Sequence, residues 1–162
     1  MKQIISKVSQ NVIPSKTIEK SKNVIADLAF KLVEKEIKKY PEVIGLEFGG
    51  SYAKGTWLAE DADIDIFVRF NKSTKEDRFE KISKKIGFDS LKKYSPYVRY
   101  SEHPYVEAKI KSTKINVVPF YDVNVGEWKS AADRSTFHTK FMQKSLTPKM
   151  KNSVRILKTF LK

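Results

Sequence analysis

Cysteine is absent from the 162 residues. Disulfides and thiolate zinc sites are therefore excluded, and a reducing interior is compatible with this absence without being demanded by it. Long apolar runs are missing too. No stretch approaches the ~18 residues that span a bilayer, and the opening MKQIISKVSQ lacks the continuous apolar segment of a signal peptide. A cytoplasmic location with no membrane partner is the expectation. Internal repeats, low-complexity tracts and Gly/Ser linkers are likewise absent. Acidic residues are in deficit: 19 Asp and Glu face 32 Lys and Arg, a formal net charge of +13. Such an excess attracts polyanions, whether RNA, DNA, nucleotides or acidic lipid surfaces, although solvated lysine-rich faces produce the same balance. What is present argues for a folded chain. A hydrophobic content of 40% with 12% aromatics is inconsistent with disorder, and the length suits one core of ordinary size.

Periodicity supplies a coarse outline. Ile4, Ile5, Val8 and Val12 stand at helical spacing and predict a short amphipathic turn over residues 4 to 13. A longer helix follows Pro14 and Ser15, with Ile25, Leu28, Leu32 and Ile37 as its apolar positions and Pro41 closing it. VIGLEF (43–48) is short, β-branched and bounded by Pro41 and Gly49–Gly50, which is a strand pattern. SYAKGTW should open a short helix, and DIDIFVRF (63–70) reads as a second strand. Residues 75 to 86 predict a helix carrying Phe79, Ile82 and Ile86, interrupted at Gly87. Three strand-like runs come next, YVRYSE (97–102), YVEAKI (105–110) and INVVPFY (115–121), the last two joined by the polar KSTK as a hairpin. A loop of small and charged residues leads to a final helix. Thr147 is its N-cap, Pro148 its first residue, and Met150, Val154, Leu157 and Leu161 its apolar stripe. That helix meets no stop signal before residue 162, so a longer natural protein is expected.

The chemistry concentrates in EFGGSYAKGTWLAEDADIDIFV (47–68). Side chains alternate faces along a strand, so Asp63 and Asp65 project from one face while Ile64, Ile66 and Val68 enter the core. Two adjacent carboxylates repel and cannot both ionise cheaply. A divalent cation resolves the conflict, and Mg²⁺ suits carboxylate oxygens while keeping waters and substrate phosphates as its other ligands. Ahead of the pair, Gly49 and Gly50 permit a tight turn and close backbone approach. Ser51 adds a hydroxyl and a backbone N–H where anions bind. A phosphate cradle beside a metal platform implies metal-assisted phosphoryl or nucleotidyl transfer. Alone, Gly-Gly-Ser after a strand is a common turn and Asp-x-Asp a common solvated edge. The joint order of strand, Gly-Ser, short helix and Asp-Ile-Asp on a strand is the specific signal. Glu60 and Asp61 precede the apolar run and read as loop acids.

These residues resemble the DNA polymerase β-type nucleotidyltransferase superfamily, whose signature of Gly-[Gly/Ser] followed about a dozen residues later by Asp-h-[Asp/Glu]-h is met by Gly50–Ser51 and Asp63-Ile64-Asp65-Ile66. Within it, GSYAKGTWL, INVVPFY, AADRSTFHTKFM and SVRILKTFLK resemble the archaeal class I CCA-adding enzymes, over roughly residues 17 to 162. The resemblance implies an α/β (α+β) nucleotidyltransferase fold: a mixed, mostly antiparallel sheet with helices packed on one side. It implies a catalytic head over residues 1–145 and, over 146–162, the first helix of a neck domain. It further implies two Mg²⁺ ions, ATP and CTP as substrates and the tRNA acceptor end as partner, with a homodimer as one state of the full-length protein. Gly50 and Ser51 would contact the triphosphate with Lys54 nearby, and Asp63 and Asp65 would bind metal. Ser135 and His138 would meet the sugar or phosphate, and Lys158 would reach the triphosphate. His138 by itself would read as a capping or core histidine, and Lys158 as a solvated charge. His103 matches no motif and reads as structural or exposed. Trp57 reads as a packing residue, with base stacking as the alternative.

One position departs from the pattern. The family places a third carboxylate before VVP, sharing the metal that activates the attacking hydroxyl, and here that residue is Asn116. An amide carbonyl can ligate weakly, but it cannot act as a base. Glu107 and Asp122 are the candidate substitutes, and neither matches the motif. Two rival readings follow: a small stand-alone nucleotidyltransferase with another acceptor, and a nucleotide- or RNA-binding pseudoenzyme.

Overall fold

A computed structural model describes residues 12–60 and 63–161. The turn expected over residues 4 to 13, save its last two residues, and the loop acid Asp61 lie outside the described residues. The long helix α1 spans Lys16–Ile37, and the Ser15 hydroxyl accepts from Ile18 N at 3.3 Å as its cap. Its buried stripe is Ile25, Ala26, Ala29, Val33 and Glu36. Leu28 is instead exposed, a correction to the apolar positions read from the sequence. The small residues Ala26 and Ala29 let the helix lie close to the sheet, and that contact rotates Leu28 outward.

Strand β1 (Val43–Gly49) leads into the short helix α2 (Gly50–Lys54), then β2 (Ile64–Asn71), α3 (Glu76–Leu91), β3 (Tyr97–Arg99), β4 (Tyr105–Ile110) and β5 (Thr113–Asp122). Helices α4 (Ala131–Ser145) and α5 (Pro148–Phe160) complete the chain. Strand order is β1-β2-β5-β4-β3. Among the described residues only β2 and β5 run parallel and the other three pairs are antiparallel, so the sheet is mixed and mostly antiparallel as expected. Ile64, Ile66, Val68 and Phe70 of β2 join Ile115, Val117 and Tyr121 of β5 in a core closed by α1 and α3. The Phe79 ring of α3 stacks on Tyr121 at 4.1 Å between centroids.

Three further differences from the sequence outline have physical causes. Helix α3 runs through Gly87 to Leu91. A Cβ at Gly87 would overlap the Val106 side chain, so this glycine permits close contact with β4. Its helix penalty of about 1 kcal/mol is smaller than the gain from burying Val106 and its neighbours. The YVRYSE strand ends at Arg99, and Ser101 instead donates to the His103 carbonyl in a loop. Helix α4 occupies a segment read as a loop. Its buried face is polar, made by Asp133, Thr136 and Thr139. The signal that could have revealed it is the Ser130/Asp133 capping box at its start.

Candidate active site

The register of the sheet assembles a row of polar side chains. Gly49 pairs with Asp65, Asp65 with Asn116, Asn116 with Glu107, and Glu107 with Tyr97. These residues sit on the face opposite the apolar core, near the start of the parallel pair β2/β5. Asp63 precedes β2, has a side chain 39% exposed, and lies 3.9 Å from Lys114 Nζ. Asp65 is more enclosed. Burial pushes its pKa above the ordinary carboxylate value, against the opposing pull of the Asn116 hydrogen bond and the charge of Lys54. Desolvation is thus the cause that prevails at Asp65.

Gly50 lies directly against this group. Its φ is +60°, and a Cβ there would collide with the Asp65 carboxylate. The glycine is therefore required twice over, by backbone conformation and by close approach. Gly50 and Ser51 begin α2, and Lys54 ends it. The loop that follows is pinned by Thr56 N donating to Ser51 O at 3.0 Å. Trp57 is buried and packs, as expected, with Lys22 Nζ 5.9 Å from its ring centroid.

Asn116 is buried and donates through Nδ2 to Asp65 Oδ1 at 2.8 Å. Its Oδ1 is buried without a hydrogen-bond partner. A buried amide oxygen in that condition is a donor atom in want of a cation or proton. Glu107 is the next residue of the row, but both its oxygens are engaged, by the Tyr97 hydroxyl and by Arg99 Nε at 3.3 Å. Burial raises its pKa, yet those hydrogen bonds and the charges of Arg99 and Lys114 prevail and hold it below the ordinary value. Asp122 pairs with Asn71 at the far end of β5, six residues and about 20 Å from Asn116. Of the two candidate substitutes, only Glu107 neighbours Asn116, and one strand separates it from Asp65.

The remaining expected site residues belong to α4 and α5. Ser135 donates to Ala131 O at 2.9 Å, and His138 is exposed one turn later. Helix α4 is tied to the cradle by Gln143 Nε2, which donates to Ala53 O at 2.9 Å, and to β1 by Lys140, 2.9 Å from Glu47. Lys158 Nζ donates to Thr56 O at 3.1 Å, at the loop behind the cradle. Two residues passed over in the sequence matter here. Arg155 is buried and donates to Gly55 O at 2.8 Å and Trp57 O at 3.1 Å, clamping α5 onto that loop. Lys22 of α1 donates to Thr113 Oγ1 at 2.9 Å; burial lowers its pKa, partly offset by the charge of Asp63. No local sequence pattern marks either residue. The apolar stripe expected on α5 is largely exposed, with Met150 at 48%, Leu157 at 58% and Leu161 at 77%, because Arg155 takes the buried position.

The family model for the nucleotidyltransferase domain matches residues 30–141. The CCA-adding enzyme of Methanocaldococcus jannaschii is 36% identical over 169 residues, spanning 100% of this chain and 37% of that protein. The CCA-adding enzyme of Halobacterium salinarum is 34% identical, spanning 98% of this chain and 35% of its own. The chain thus spans little more than a third of the length of these relatives. Among solved structures, the RNA terminal uridylyl transferase Cid1 superposes with a TM-score of 0.66 over 96% of this chain and 43% of its own, at 15% identity. The CdnC:HORMA-deltaN complex of E. coli MS115-1 gives 0.65 over 96% of this chain and 55% of that chain, at 16% identity. At such identities these two structures speak to the fold alone. Among the described residues no helix is long and apolar enough to cross a membrane.

Proposed function

The chain belongs to the nucleotidyltransferase domain family, and from that membership we propose that it is the catalytic head of a cytoplasmic CCA-adding tRNA nucleotidyltransferase. It transfers CMP and AMP from CTP and ATP to the tRNA 3′ end. The observation that carries the reading is the contact of Gly50 with Asp65, which sets a glycine-serine turn against a carboxylate pair. The archaeal CCA-adding relatives, matching this chain from end to end, supply the acceptor.

The donor set fits a hard divalent cation. Asp65 is the register partner of Asn116, whose Oδ1 is orphaned, and Asp63 stands two residues before Asp65. Asp63, Asp65 and Asn116 would hold Mg²⁺, which when bound neutralises the triphosphate and activates the attacking hydroxyl. The chain's own residues do the positioning. Gly50 and Ser51 let backbone approach the triphosphate. Lys54 holds positive charge near Asp65 and the phosphates. Ser135 and His138 bind the nucleotide sugar or phosphate, and Lys158 reaches the triphosphate from α5. Residues 1–145 form the head and 146–162 begin the neck.

A second reading, a nucleotide-binding protein with little transfer activity, is favoured by one observation. Asn116 Nδ2 occupies Asp65 Oδ1, where a third carboxylate would repel it and draw a second cation. Single-turnover incorporation of labelled ATP into tRNA ending in CC, in a protein of the relatives' full length, separates the two. Transfer that depends on Asp63 and Asp65 supports the first. Mg²⁺-dependent ATP binding without transfer supports the second. Equal affinity for AMP and ATP would overturn both.

A further inference from the structure

A second cluster of ligand-type side chains lies at the other end of the sheet. Glu76 and Glu80 stand one turn apart on α3, and His103 comes from the loop between β3 and β4. One ligand atom from each lies within 4.8 Å of the others. Asp65 and Asn116 sit near the start of the β2/β5 pair, whereas His103 contacts Tyr121 and Phe79 near its end. By strand rise the two places are about 17 Å apart.

His103 is the unusual member. Its ring meets Phe79 edge-on at 5.2 Å and Tyr121 at 6.3 Å between centroids. Both ring nitrogens are closed off from solvent, and neither has a hydrogen-bond partner. Any protonation state of imidazole carries at least one N–H donor, and the neutral ring also carries one acceptor. Leaving both unmet away from solvent is costly, and such groups in native folds mark an ion, an ordered water or a proton shared with a neighbour. The two glutamates are the neighbours. Their charges act on this spot: after burial itself, Glu76 is the largest influence holding the Tyr121 hydroxyl up at about 12, and Glu80 adds to it.

We propose that Glu76, Glu80 and His103 form a structural zinc-type site that staples the β3–β4 loop to the start of α3. Imidazole nitrogen with carboxylate oxygen is a set that Zn²⁺ accepts and that Mg²⁺, which prefers oxygen and water, does not select. Bonds of about 2.0–2.2 Å in a tetrahedral site place two ligands of one ion about 3.4 Å apart, so atoms as much as 4.8 Å apart must close by up to about 1.4 Å. Glu76, exposed in the first turn of α3, is free to do so. Lys72, Lys75 and Lys129 line the adjoining hollow of about 480 Å³ and weaken the attraction for any cation. Glu80 also has Lys84 at 3.6 Å, an exposed contact that a metal would outcompete. This inference depends on neither the acceptor nor the reaction proposed above.

The test uses the full chain with Mg²⁺ in excess, so that the catalytic carboxylates are occupied. Zn²⁺ is added while the imidazole ring signals are followed by NMR. The chain has two histidines, and exposed His138 is the internal control. The expected result is one bound equivalent, a shift confined to His103 and a melting temperature raised by a few degrees. Glu80→Gln, on the helix surface, should weaken binding by at least ~10-fold while leaving the fold intact; His103→Gln should abolish it. A His103 ring that responds to pH but not to Zn²⁺ overturns the proposal in favour of an imidazolium held by the two glutamates. Zinc binding that survives Glu80→Gln but is lost with Asp63→Asn and Asp65→Asn overturns it in favour of the catalytic carboxylates.

Discussion

Asn116 and Asp65 are register partners on the parallel strands β2 and β5, and the amide of one donates to the carboxylate of the other at 2.8 Å. The neutral amide removes a repulsion that a third carboxylate would create. It also removes a candidate base and a negative metal ligand. Asn116→Asp should therefore raise transfer by ~10²–10⁴ in the full-length protein, the range associated with a lost acid–base group, while moving nucleotide affinity little. The same variant should melt lower than the parent without metal and recover with Mg²⁺. Single-turnover incorporation and thermal melting with and without Mg²⁺ read the two effects. Parent transfer already as fast as the variant's would remove Asn116 from the metal site.

Asp65 gives a pH prediction. Its folded pKa is raised by burial, so the folded state holds the proton more tightly than the unfolded chain does. Stability attached to this group is present below the ordinary carboxylate value and is lost as pH rises through the raised folded value. Asp65→Asn should therefore overtake the parent across that window and stay ahead at neutral pH. It should also lose Mg²⁺-dependent ATP binding. Urea unfolding between pH 3 and 7 measures the first effect, and a variant that falls below the parent at neutral pH contradicts the assignment.

Gly50→Ala should fail for two separable reasons. A side chain at φ +60° costs about 1–2 kcal/mol, and its Cβ would displace the Asp65 carboxylate. ATP affinity should fall by more than tenfold and urea stability by a kilocalorie or more. Gly55→Ala, at φ +66° but 3.4 Å from its nearest neighbour, should show the stability loss with a smaller effect on ATP. Equal ATP losses in both variants would argue that only the backbone conformation matters.

Arg155→Ala should cost roughly 2 kcal/mol, the scale of charge-assisted hydrogen bonds left unmade in a buried place. The carbonyls of Gly55 and Trp57 would lose their donor. Hydrogen exchange should accelerate in Pro148–Phe160 and in the loop after α2, and not in β2 or β5. Arg155→Lys should rescue only part, because one ammonium cannot span both carbonyls as the planar fork does. Uniform acceleration across the sheet would mean that Arg155 serves the fold at large.

Several features of this protein follow from the sequence by itself. Period-two alternation puts Asp65 on one face of β2 and Ile64, Ile66 and Val68 in the core, while Asp63, read as the first strand residue, stands just ahead of the strand. Gly49–Gly50 ends β1 and begins α2, and Ser15 and Thr147 begin their helices, because turn and cap chemistry act within a few residues. Other features were decided only in three dimensions. The row Asp65–Asn116–Glu107–Tyr97 depends on strand order and register, set by contacts between residues up to 51 positions apart. Helix α4 hides behind a polar buried face that reaches the backbone of β5 through Asp133, which accepts from Tyr121 N at 2.7 Å. Gly87 reads as a breaker until Val106 stands against it. Arg155 looks like one cation among 32 basic residues until two carbonyls 98 and 100 positions away enclose it. The physical reason is common to all of these. Backbone propensity and capping are local energies, whereas burial, register and the desolvation of Asp65 come from atoms that distant segments bring together.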